Sequence, residues 1–113
     1  MAQTKRQAKP EAPRPVEPVF GLDEVADAIL TLKTREEVRR FLRDLCTLTE
    51  LEAMAHRWQI ARLLEDGKLS YVDIVQEVGG STATVTRVAQ WLRHGAGGYR
   101  LALDRLRRKR PTP

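Results

Sequence analysis

The sequence predicts an all-α protein of about six helices, on three observations. Ser/Thr-x-x-Asp/Glu pairs, in which a hydroxyl caps a helix and an acid three residues on returns the hydrogen bond, precede apolar runs at Thr34/Glu37, Thr49/Glu52 and Ser70/Asp73. Behind each pair, apolar residues recur every three or four positions. Aromatic residues are only 5% of a chain that is 42% hydrophobic, which favours aliphatic helix packing over an aromatic-rich β-sandwich. The one strand-like run, Val72 to Val78, is too well capped to be a strand.

Residues 1–18 hold four of the six prolines and no apolar period, so a disordered or extended basic tail is expected. Its Lys5, Arg6, Lys9 and Arg14 suit solubility more than phosphate contact. A helical domain is placed at 19–107, with a basic tail at 108–113. Phe20 to Lys33 opens it, with Leu22, Val25, Ala26, Ile29 and Leu32 on one stripe and Asp23, Glu24 and Asp27 near the positive end of the helix dipole. Thr34 caps a second helix whose Val38, Phe41, Leu42 and Leu45 face inward. Thr49 opens a third, ending near Gly67. Its Leu51, Met54, Ala55, Trp58, Ile60, Ala61, Leu63 and Leu64 wrap more than one face, so it belongs between neighbours, a second subunit being one candidate.

Residues 70–93 read as a helix-turn-helix. Ser70 caps a short helix with Ile74, Val75 and Val78 on its buried side, and Gly79-Gly80 ends it, because glycine enters the left-handed region without steric cost. Ser81 or Thr82 starts the second helix, whose Val85, Val88, Ala89 and Leu92 point inward. Its other face carries Thr82, Ala83, Thr84, Thr86, Arg87 and Gln90. Small side chains let a helix axis approach base edges; threonine can bond either kind of base or touch a thymine methyl, and arginine can bind guanine bidentately or clamp a phosphate. Ser81 and Thr82 beside the glycine pair suit a DNA phosphate at the helix N-terminus, and Arg93 adds a backbone contact. An ordinary helical hairpin with a threonine-rich exposed face would share much of this pattern. After His94 the string GAGG breaks the helix, and Tyr99 to Arg107 forms a last short one.

A chain of 113 residues bounds the protein to one domain near the lower size for a self-sufficient core. Its net charge of +5 is uneven: +2 over 1–18, −2 over 19–69, zero over 70–94 and +5 over 95–113. Cationic ends fit a polyanion partner or simple solubility equally. No apolar stretch is long enough to span a membrane, and no apolar signal core opens the chain. Cys46 has no partner for an internal disulfide and reads as a small hydrophobe, so a cytoplasmic location is expected. His56 and His94 lie in different elements without ligand spacing, and no nucleophile elbow, phosphate loop or carboxylate pair occurs. No metal, cofactor or enzymatic activity is therefore expected.

From Leu45, the string LCTLTELEAMAHRWQIARLLEDGKLSYVDIVQEVGGSTATVTRV resembles the Trp repressor superfamily, and within it the YerC/YecD-type branch. GGSTATVTRV is the most specific part, followed by WLRHGAGGYRLALDRL; the likeness in helix pattern covers roughly residues 20 to 106. It implies an intertwined homodimer presenting two motifs to DNA half-sites about 34 Å apart. In tryptophan-responsive members an arginine from the central helix and one from the reading helix hold the indole of the ligand. Arg57 and Arg87 match them. Val88 stands where that pocket has a glycine, and Trp91 where it has a serine. Overpacking of this kind costs about 1–3 kcal/mol, so the pocket is vestigial and tryptophan is not expected as effector. The indole of Trp91, one turn after Arg87, is expected to fill part of the vacated slot, at a spacing that permits a cation–π contact with Arg87, with a plain core or interface role as the alternative.

The expectation is a sequence-specific transcriptional regulator, repressing by occlusion, that binds double-stranded DNA as a homodimer. A helical dimeric protein-interaction module, whose basic ends meet an acidic partner, is the alternative.

Overall fold

Each helix begins where a side chain or a glycine supplies what the local backbone lacks. The computed structural model describes residues 12–109, which form α1 (Leu22–Leu30), α2 (Arg35–Leu45), α3 (Leu48–Asp66), α4 (Tyr71–Val78), α5 (Thr82–His94) and α6 (Gly98–Lys109), with no strand among them. Of the expected tails at 1–18 and 108–113, residues 1–11 and 110–113 lie outside the described residues; 12–18 carry no helix, whereas Arg108 and Lys109 belong to α6. The described chain divides into two compact units, residues 16–58 in one and 12–15 with 59–109 in the other, so that α3 contributes to both.

In the first unit, α1 is shorter than the expected 20–33. Gly21, at φ 84°, turns the chain into the helix, and the Thr31 hydroxyl closes its end on the Ala28 carbonyl at 2.6 Å. The residues that follow belong to the next cap. Thr34 is extended and accepts from the Glu37 N–H at 3.1 Å, while Glu37 Oε1 accepts from the Lys33 N–H at 2.8 Å. The start of α3 corrects the sequence reading. The string TLTELE satisfies the capping rule twice, and the structure uses Thr47 with Glu50, two residues ahead of Thr49 with Glu52. The Thr47 N–H donates to Glu50 Oε1 at 2.8 Å and the Glu50 N–H to Thr47 Oγ1 at 3.1 Å. Cys46, extended and half-buried, separates this box from α2.

No residue of 16–58 is buried. Val38, Phe41 and Leu42 are half-covered, but Leu45, expected to face inward, is exposed, as are Phe20, Leu30, Leu48 and Met54. Leu42, Leu51, Met54 and Ala55 line a groove of about 990 Å³ edged by Arg39 and Arg43. The Glu36 pairs to Arg39 and Arg40, at 3.3 and 3.2 Å, are exposed contacts one turn apart and contribute only a few tenths of a kcal/mol, roughly.

The second unit holds the core. Ile60 and Ala61 from α3, Ile74 from α4, and Val85 and Val88 from α5 are sealed from solvent, with Leu63, Leu64, Leu69, Tyr71, Val78 and Tyr99 packed around them. Leu103 of α6 and Ala89 are also buried. A carboxylate ties α6 to α3: Glu65 accepts from Arg100 at 2.7 Å through one oxygen and from Arg107 through the other. The Glu65 hydrogen bond raises the Arg100 pKa against the opposing effect of burial, and the guanidinium stays charged throughout the working pH range. Because Glu65 is only 20% exposed, Glu65→Gln is expected to cost about 1 kcal/mol, a loss that shrinks in high salt and is measured by urea denaturation at two ionic strengths.

Before α1 the chain also touches this unit. The Arg14 N–H donates to the Gly95 carbonyl at 2.9 Å. A β-carbon placed on Gly97 would lie 3.1 Å from Pro13.

Candidate nucleic-acid interface

The geometry of α4 and α5 is set by two hydroxyl caps and a glycine pair. Ser70, in the extended region, accepts from the Asp73 N–H at 3.1 Å and opens α4. At its other end Gly79 has φ 86° and ψ −178°, a backbone open essentially to glycine alone, and its N–H bonds the Val75 carbonyl at 2.7 Å. Gly80, at φ 89°, completes the reversal. Of the two candidates for the start of the second helix, Ser81 is the cap. It is extended and accepts from the Thr84 N–H at 3.3 Å, with its hydroxyl also 3.3 Å from that of Thr84.

The core then decides which side of α5 faces out. With Val85, Val88 and Ala89 turned inward, Thr82, Ala83, Thr86, Arg87, Gln90 and Arg93 are all exposed. Thr84 is half-buried, and the cap engages its hydroxyl and that of the exposed Ser81. No hydrogen bond or ion pair holds the Arg87 guanidinium among the described residues. Such a face offers hydroxyls, an amide and cations to an incoming ligand without a bulky side chain at its N-terminal end.

The residues matched to an effector pocket differ in exposure. Val88 is 1% exposed and belongs to the core, whereas Trp91 leaves 52% of its surface to solvent. Arg57 is exposed on α3 in the unit of residues 16–58, and Arg87 is exposed on α5. Among the described residues, no three His, Cys, Asp or Glu side chains are grouped to hold a metal, and no helix is long and apolar enough to cross a membrane.

Two features escaped the sequence. Arg100 and Arg107, counted only in the net charge of residues 95–113, are engaged by Glu65, from which they lie 35 and 42 positions away. Periodicity carries no signal for pairs so distant. The GAGG turn, read only as a break, receives Pro13 and Arg14.

Two capped helices joined by a glycine turn on an all-helical scaffold define a helix-turn-helix protein. The Trp repressor protein family matches residues 21–107, and the chain belongs to that family. It is 44% identical over 86 residues to the uncharacterized protein YerC of Bacillus subtilis (strain 168), covering 76% of this chain and 82% of YerC. The crystal structure of a TrpR-like protein from Eubacterium eligens ATCC 27750 superposes with a TM-score of 0.73 at 32% identity, covering 82% of this chain and 95% of that one. A candidate Trp repressor from Staphylococcus aureus superposes with a TM-score of 0.72 at 42% identity, covering 80% and 89%.

Proposed function

We propose that the protein is a transcriptional regulator that binds specific DNA sequences as a homodimer, with α5 in the major groove. The observation that carries this is the partition of α5, whose valines are sealed in the core while Thr82, Ala83, Thr86, Arg87 and Gln90 stand exposed at the end that starts from the glycine turn. Thr82, Thr86 and Gln90 are hydrogen-bonding readers, Ala83 permits close approach, and Arg87 binds guanine or phosphate. Ser81 and Thr84 hold the helix start at which a phosphate is favoured, and Arg93 supplies a backbone contact near the other end.

Homodimerisation is supported by the unit of residues 16–58. Its helices carry apolar stripes, yet none of its residues is buried, and Phe20, Leu30, Leu45, Leu48 and Met54 are exposed. Helices that show an apolar stripe to solvent, as Leu42, Leu51 and Met54 do along one groove, suit a surface that a partner covers. A second copy of the chain is the partner expected for this family.

Binding without tryptophan is supported by Val88, a core side chain at the position matched to the pocket's glycine, and by Trp91 in place of a serine. The decisive experiment is selection of bound genomic fragments, followed by fluorescence anisotropy across a salt series and light scattering for the dimer. Saturable binding to selected fragments over scrambled ones is expected, unchanged by added L-tryptophan. No binding even at low salt would favour a protein-interaction module, and a tryptophan-dependent affinity would overturn the reading of the pocket.

A further inference from the structure

The outward face of α5 carries one large side chain that has no role in the reading above. At about 100° per residue, the line opposite Val85, Val88 and Ala89 runs between Arg87 and Gln90, which stand roughly 30° to either side of it. Thr86 and Trp91 stand about 70° to either side, Thr86 beyond Gln90 and Trp91 beyond Arg87. Trp91 leaves 52% of its surface to solvent, although Val88 and Ala89 close before it are buried. Among the described residues its indole makes no hydrogen bond and no ring contact.

A helix lying in a major groove has a wall of phosphates on each side. Thr86 supplies a hydroxyl towards one wall, and Arg93, on the same flank, a cation; both are exposed. The other flank is poorer. Thr84 lies on it two turns before Trp91, but its hydroxyl is 3.3 Å from that of Ser81, within the cap. Beyond Arg87, the uncommitted donor on that flank is the Trp91 indole N–H. Helical side chains lean towards the N-terminus of their helix, which carries the ring over the turn of Arg87. An indole joins a flat apolar body to a single donor, a combination that suits a deoxyribose with its adjoining phosphate.

We propose that Trp91 is a DNA-backbone contact: its ring packs on a deoxyribose beside Arg87, and its N–H donates to a phosphate on the wall opposite the one that Thr86 and Arg93 face. This rests on the DNA-binding reading above and gives α5 an anchor on each side of the groove. A backbone contact fixes the orientation of the helix and carries no sequence information of its own. Because the indole is neutral, the contact adds affinity without releasing a counterion.

The chain has two tryptophans, so the isotope-labelled full chain gives two indole N–H signals by NMR, and Trp91→Phe identifies the one from Trp91. On saturation with a selected DNA site that signal is expected to move downfield and to exchange with solvent on the order of tenfold more slowly. Trp91→Phe keeps a ring and removes the donor; binding to selected and scrambled sites alike should weaken roughly 3- to 10-fold, with the salt slope unchanged. Trp91→Ala removes the ring as well and should weaken both by about 10- to 100-fold, with thermal unfolding showing that each variant is folded. An indole signal that DNA leaves in place would overturn the contact, as would full affinity in both variants while Arg87→Ala still weakens binding; either leaves the DNA-binding reading standing. A Trp91 signal already protected from exchange before DNA is added would assign the indole to a second copy of the chain and likewise overturn the contact. Absence of DNA binding by the full chain would remove both readings.

Discussion

Arg87→Ala is expected to weaken binding to a selected DNA site by about 1–3 kcal/mol, roughly 5- to 150-fold, while leaving the fold intact. The side chain is exposed, and no partner within the described residues is lost with it, so thermal unfolding should move by no more than the few tenths of a kcal/mol, roughly, typical of surface positions. The pattern across sites separates two roles. If Arg87 reads a guanine, the loss concentrates at one base position and preference there relaxes; if it clamps a phosphate, affinity falls evenly on all sequences and the salt slope drops by about one. Anisotropy on single-substituted sites in parallel with a salt series distinguishes the two. Undiminished binding by the variant would remove α5 from the interface.

The second large effect is on stability. Ile74→Ala is expected to destabilise the protein by about 2–5 kcal/mol, read as a lower urea midpoint with an unchanged slope. Ile74 is fully buried, where α4 meets Val85 and Val88 of α5 and Ile60 and Ala61 of α3. Truncation removes apolar surface from a site that has little means of collapsing, because the glycine turn and the Ser70 and Ser81 caps fix α4 against α5. In a small domain with total stability of about 5–15 kcal/mol, such a loss is a large fraction. DNA binding should fall with the folded fraction and recover at low temperature or with excess site, in contrast to Arg87→Ala, whose defect persists in folded protein.

These two residues also show what could be read without coordinates. The outward set on α5 was legible because a helix repeats every 3.6 residues, so placing Val85, Val88 and Ala89 inside puts Ala83, Thr86, Arg87 and Gln90 outside. The Gly79-Gly80 break was legible because few residues other than glycine tolerate its backbone angles. Helix starts were legible to within the ambiguity of the capping rule. Where TLTELE offered two overlapping boxes, only the structure chose Thr47, since both obey the same three-residue spacing.

By itself, then, the sequence determined what depends on neighbours three or four positions apart: the six helices, most of their caps, the glycine reversal and the polar face of α5. Tertiary structure alone decided what joins residues far apart in the chain. Glu65 captures Arg100 and Arg107, so the basic C-terminal helix is partly neutralised and pinned. Arg14 finds the Gly95 carbonyl. The apolar stripes of α1 and α2, which look like core from their spacing, are at most half-covered. The physical reason is common to all three: spacing says which side chains share a face, and only the folded chain says what that face meets.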